Sequence, residues 1–99
     1  MPAITQLTRY KGGNHDQMVE AAKKAKGLYE KYGAEFFRLS RFHTGSFAGE
    51  WLAVSRYSSW EVYGKAMEGL SKDKEFQKLL AHVLSMAEMT ARNVTVGIV

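Results

Sequence analysis

Apolar and polar residues change their spacing several times along this chain, and each change marks a new element. Residues 3–10, Ala-Ile-Thr-Gln-Leu-Thr-Arg-Tyr, are rich in β-branched and aromatic types and end at Lys11-Gly12-Gly13, which predicts a strand running into a flexible turn. From Asn14 to Tyr32 the apolar positions Met18, Ala21, Ala22, Ala25, Leu28, Tyr29 and Tyr32 recur at three- and four-residue spacing, the stripe of an amphipathic helix. Asn14 or Asp16 can cap its start, and Gly33 stands where a helix stops. Residues 34–43 and 50–57 are dense in aromatic and β-branched types and are separated by Thr44-Gly45-Ser46 and Gly49, which predicts a hairpin. Ser58 and Ser59 then offer an N-cap, with Ser58-x-x-Glu61 in capping-box register, for a short helix that stops at Gly69. Asp73 can cap a longer helix whose apolar face runs Phe76, Leu79, Leu80, Val83, Leu84 and Ala87. Residues 89–99 alternate Val94, Val96 and Ile98 with Asn93, Thr95 and Gly97, a strand with one buried face.

The resulting order, β-α-β-β-α-β, is that of a split β-α-β unit, an α+β arrangement in one domain spanning residues 1–99. Its four-stranded antiparallel sheet carries helices on one face only, so the period-two alternation sorts each strand into a helix-facing and an open set. Thr5, Leu7, Phe37, Leu39, Leu52, Val54, Val94 and Val96 are expected to face the helices. Gln6, Thr8, Tyr10, Phe36, Arg38, Ser40, Phe42, Trp51, Ser55 and Tyr57 then look outward. Tyr10, Phe36, Phe42, Trp51 and Tyr57 are too much apolar area to leave in water, and a second copy of the chain is the simplest cover. A homodimer through the open sheet face is therefore expected.

Composition narrows the classes. Of 99 residues, 45% are hydrophobic and 24% charged, the proportions of a globular chain rather than a disordered one. The absence of Cys excludes a disulfide framework, thiolate metal sites, a Cys nucleophile and iron–sulfur ligation. No apolar run is long enough to span a membrane and the first 20 residues hold no signal-type apolar stretch, so a cytoplasmic location without a membrane partner is expected. The net charge of +4 is spread: lysines sit beside acids, as in Glu20/Lys24 and Lys72 through Glu75, and this is a solvated pattern rather than a nucleic-acid footprint. All five arginines (Arg9, Arg38, Arg41, Arg56, Arg92) fall in predicted strands, whereas the lysines fall in helices or connections. A rigid planar guanidinium suits carboxylates, phosphates and aromatic faces, so some of these arginines are expected to point at something.

The candidate chemistry centres on Arg38, which projects from the middle of an aromatic strand. With Ser40, Phe42, Trp51, Ser55 and Tyr10 around it, it would bind the carboxylate, phenolate or enolate of a small organic ligand. The other reading pairs Arg38 with Glu35 or Glu50 across a dimer interface. His43, at a strand end beside Thr44, and Tyr57 are the candidate catalytic groups for moving a proton, although a turn histidine can equally be merely solvated. Arg56 and Arg92, at strand ends on the helix-facing parity, are assigned to the surface. His15, His43 and His82 are far apart, with no His-x-x-x-His or Glu-x-x-His spacing, so no metal site is expected.

The element order, the aromatic open face, and the stretch Tyr57-Ser-Ser-Trp-Glu-Val-Tyr-Gly followed by Ser71-Lys-Asp-Lys-Glu-Phe-Gln resemble the dimeric α+β barrel superfamily of ferredoxin-like proteins. The resemblance covers essentially the whole chain. It implies a ferredoxin-like fold and a homodimer whose two sheets form a barrel with small-molecule pockets. That superfamily includes antibiotic-biosynthesis-type and heme-degrading monooxygenases, muconolactone isomerases and NIPSNAP-like proteins. The implied function is small-molecule binding, with cofactor-independent monooxygenase or isomerase activity on an aromatic or anionic organic substrate. The alternative is a non-enzymatic dimeric module. The heme-degrading relatives use an Asn, a Trp and a His; here the first strand supplies Gln6, and Trp60 and His82 lie far apart, so no cofactor is expected.

Overall fold

Every helix begins where a side-chain oxygen meets its first free N–H groups. In the computed structural model, which describes residues 2–99, Asn14 Oδ1 accepts from the Gln17 N–H at 3.1 Å, Ser59 Oγ from Val62 at 3.2 Å and Asp73 Oδ1 from Phe76 at 2.9 Å. These caps open α1 (His15–Lys31), α2 (Trp60–Lys72) and α3 (Lys74–Met86), which alternate with β1 (Ile4–Gly12), β2 (Phe36–Arg41), β3 (Trp51–Tyr57) and β4 (Ala87–Val96). Asp73 works at two ends, since its N–H closes α2 on Leu70 O while its carboxylate opens α3. Two local expectations change. Of the two serines offered, Ser59 and not the Ser58 of the capping-box register caps α2, and α2 continues through Gly69, where a Cβ would collide with the Tyr32 ring. That glycine permits a close helix contact instead of ending a helix.

The strands form one antiparallel sheet in the order β2-β3-β1-β4, the ferredoxin-like α+β arrangement. Directly paired residues in antiparallel strands share a face. Phe37 and Leu39 lie opposite Ser55 and Ala53, which lie opposite Gln6 and Thr8, so all six face the helices. Phe36, Arg38 and Ser40 are on the open face, as expected for β2. Val94 and Val96, opposite Gln6 and Ile4, share the helix-facing side but stay exposed on the edge strand.

For β1 and β3 the expected parity is reversed. Gln6, Thr8, Tyr10, Trp51, Ser55 and Tyr57 are buried toward the helices, while Thr5, Leu7, Leu52 and Val54 lie partly buried on the open face. The reason is physical: both faces of these strands carry apolar residues. A period of two then says which residues travel together but not which set the helices cover.

Aromatic contacts tie the layers. The Tyr29 ring stacks on Phe37 with centroids 4.8 Å apart and meets Phe76 edge-on at 5.6 Å. Trp51 donates its Nε1–H to Gly12 O at 2.9 Å, with the Arg41 guanidinium 4.4 Å over its ring. On the open face the β2–β3 connection folds back so that Phe47 covers Arg9 at 3.6 Å, with Phe42 edge-on to Phe47.

Candidate functional site

Between the helix face of the sheet and helices α1 and α3 lies a cavity with a polar floor and an apolar ceiling. Gln6, Thr8 and Ser55 form the floor and are each 2% exposed. Ala21 and Ala25 of α1 and Leu79, Leu80 and Val83 of α3 form the ceiling. The space open to the centre of a water molecule is about 50 Å³. That is several times the ~10–15 Å³ one water needs.

Buried polar groups without partners are costly, and each floor residue has one partner. Tyr63 Oη donates to Gln6 Oε1 at 2.9 Å, Tyr57 Oη to Ser55 Oγ at 3.0 Å, and Arg92 Nε to Thr8 Oγ1 at 3.1 Å. In all three the floor residue accepts, so the Thr8 and Ser55 hydroxyl hydrogens and the Gln6 amide N–H groups are left to donate. No carboxylate, lysine or histidine lines the cavity. The site is thus rich in donors and holds no base.

The phenols around it are held in their neutral form. Burial pushes the Tyr29 hydroxyl far above the usual tyrosine range. Burial also raises Tyr10, against the opposing charge and hydrogen bond of Arg92, and raises Tyr57, against the Ser55 hydrogen bond and the charge of Arg92. Tyr10 and Tyr29, which line the cavity, can donate a hydrogen bond to a ligand oxygen, the Tyr57 O–H is given to Ser55, and Arg92 is the nearby positive charge.

The residues singled out in the sequence are divided by the sheet. Tyr10, Ser55 and Tyr57 gather at or beside the cavity, and Trp51 shares their face beside the start of α1. Arg38 and Ser40 lie on the opposite face, Arg38 4.1 Å over the Phe36 ring, and Phe42 packs with Phe47 near Arg9. His43 is exposed in the β2–β3 connection. Within one chain Arg38 and Tyr57 therefore lie on opposite faces of the sheet, a correction that follows from the reversed parity of β3. Glu35 pairs with Arg56 at 3.3 Å and Glu50 accepts from Thr90 at 2.8 Å, so neither meets Arg38 in the protomer. Arg56 lies opposite Thr5 on the open face, contrary to its expected parity, but is at the surface as expected.

Sequence reasoning missed Gln6, Thr8, Tyr29, Tyr63 and Arg92 as members of one site. For Arg92 a signal existed: it shares the parity of Val94 and Val96, which already read as helix-facing. Among the described residues no helix is long and apolar enough to cross a membrane, and no group of three or more His, Asp or Glu is placed to hold a metal ion.

No family model matches the sequence, and no curated protein matches it. Solved structures do resemble it. SnoaB from Streptomyces nogalater, a cofactor-independent oxygenase, superimposes with a TM-score of 0.70 at 7% identity, covering 96% of this chain and 92% of that one. A dimeric ferredoxin-like protein from an uncultured marine organism gives 0.71 at 14% identity over 100% and 98%. A NIPSNAP family protein with unknown function from Agrobacterium tumefaciens str. C58 gives 0.67 at 10% identity over 95% and 85%. At such identities the likeness is one of fold, and this chain has the ferredoxin-like α+β fold found in antibiotic-biosynthesis-monooxygenase-like, NIPSNAP and dimeric ferredoxin-like proteins.

Proposed function

We propose that two copies of this chain pack through their open sheet faces, and that each binds a small aromatic molecule bearing hydroxyl or carbonyl oxygens, one of them ionisable, in the cavity between sheet and helices. The observation that carries the binding reading is the floor of Gln6, Thr8 and Ser55, each nearly fully buried, each accepting one hydrogen bond and each with a donor to spare. Such a floor matches ligand oxygens and the apolar ceiling matches a ring, which the about 50 Å³ of open space admits when the helices move outward. Arg92 replaces Arg38 as the counter-charge to a phenolate or enolate. Tyr10 acts as a hydrogen-bond or proton donor to it, and Tyr57, whose O–H is given to Ser55, acts through the Ser55 hydroxyl. For the dimer, the support is the partly buried Leu7, Leu52, Val54 and Phe36 on the open face, together with the dimeric protein of the same fold.

Without a cofactor, either an oxygenation or an isomerisation passes through an anion of the substrate itself, and preorganised donors lower the cost of forming that anion. This links the cavity to the chemistry named for SnoaB. A second reading, a binding module without turnover, is favoured by one specific observation: no carboxylate or histidine lines the cavity to take the substrate's proton.

The test is thermal stabilisation by a panel of phenols, hydroxyquinones and aromatic acids. At a hundredfold excess over Kd, binding stabilises by about 2.7 kcal/mol, a rise of roughly 10–20 °C in Tm for a domain of this size. The rise is expected to fall sharply in Ser55→Ala and, for ionised ligands, in Arg92→Met, and to persist in Arg38→Met. Loss in Arg38→Met alone would move the site to the open face between protomers. A panel without any hit would sink the binding reading. Oxygen consumption or isomer formation with the hits then separates enzyme from module.

A further inference from the structure

We infer that the ligand enters and leaves the cavity through the seam between α1 and α3, and that Leu79 is the gate. The inference rests on the cavity being a binding site. Leu79 lines the cavity and also two surface grooves along that seam, one of about 600 Å³ with Lys24, Gly27 and His82, the other of about 210 Å³ with Asp16, Glu20 and Ala21. Leu79 is common to the cavity and both grooves, and Ala21 to the cavity and the smaller groove, so on the α3 side Leu79 stands between the interior and solvent at this seam.

The opposing helix offers little resistance there. α1 presents Ala21, Ala25 and Gly27 along this side, and a Cβ on Gly27 would meet nothing within 4 Å. α3 packs on the core through side chains that are only partly buried. It has no buried residue, whereas α1 buries Met18, Ala21, Ala25, Leu28 and Tyr29, and α2 buries Ala66 and Leu70. Its polar ties sit at its start: Asp73 with Tyr32, and Gln77 Nε2 donating to Ser71 O at 2.7 Å. Beyond Gln77, among the described residues, no side-chain hydrogen bond or ion pair joins α3 to α1 or to the sheet. Its remaining grip is apolar, through Met86 and through Leu79, Leu80 and Val83, of which the last three look partly into empty space, and the lack of fully buried contacts means a low cost of local opening.

A rival route exists where Ala22, Phe37 and Leu39 line both the cavity and a groove between α1 and β2. That side is fixed. Tyr29 stacks on Phe37, and the short connection is tied by Ala34 N–H to Tyr29 O at 3.0 Å and Glu35 N–H to Arg56 O at 2.7 Å. Opening therefore separates α3 from α1 and leaves α1 on the sheet.

The test compares Leu79→Ala with Leu39→Ala by stopped-flow absorbance, using 4-nitrophenol as the probe. Leu79→Ala should speed association by about tenfold, whatever the lost ceiling contact adds to dissociation, because removing a gate raises the entry rate and removing a contact does not. Leu39→Ala, which also removes a cavity contact, should leave the association rate near wild type and act on dissociation alone. The reverse pattern, or a change in Kd carried by dissociation alone in Leu79→Ala, overturns the gate. Hydrogen exchange on the ligand-free protein decides it independently: amides from Gln77 to Ser85 should exchange at least about tenfold faster than those from Met18 to Leu28. Equal exchange in the two helices overturns the inference. If 4-nitrophenol does not bind the wild type, the binding reading is what fails, and the exchange comparison still decides the gate.

Discussion

Arg92 stands exposed on the edge strand, yet its Nε reaches inward to Thr8 and its charge acts on the phenols of Tyr10, Tyr29 and Tyr57. A long side chain can keep one part in water while its donor serves an interior group. The three tyrosines carry the pH consequence. Their values in the folded chain lie above the unfolded one, so the stability they contribute is complete below the unfolded tyrosine value of about 10 and is lost as pH rises through the folded values. The urea midpoint is therefore expected to hold steady up to about pH 9 and to fall steadily above about pH 10, with phenolate absorbance appearing together with unfolding. A midpoint unchanged between about pH 9 and 11 would contradict the burial described for these rings.

Within α2, two glycines should answer the same substitution with opposite sign. Gly64 faces open space, so Gly64→Ala is expected to stabilise by about 0.5–1 kcal/mol, the usual gain for replacing a helical glycine. Gly69 lies against the Tyr32 ring, and Gly69→Ala should destabilise by about 1–3 kcal/mol through overpacking. Denaturant midpoints of the two variants check both signs. Gly69 also marks where the sequence was read too literally, because a glycine near the end of an apolar stripe looks the same whether it stops a helix or admits a neighbour. Asn14 and Asp73 were legible as caps because capping depends on local chemistry alone. The facing of β1 and β3 was not, since it depends on which side the helices cover, and Leu7, Leu52 and Val54 look as suited to a core as Ile4, Trp51 and Tyr57. The expected grouping felt this most: Ser55 and Tyr57 hydrogen-bond to each other, while Arg38 lies across the sheet from both.

Across the whole molecule the sheet is a partition with a ligand cavity proposed on one side and a second copy on the other. Sedimentation equilibrium should find a dimer for the wild type, and a monomer for Leu7→Glu, which sets a charge in the middle of the open face. A monomeric wild type would refute the dimer and leave the cavity untouched. The alternation of β3 has one more effect. Leu52, Val54 and Arg56 lie on the face proposed for assembly, whereas Ala53, Ser55 and Tyr57 face the interior. Scanned one position at a time, this strand should give two interleaved phenotypes, so a selection for altered ligand preference can act on every second residue while the subunit contact stays as it is.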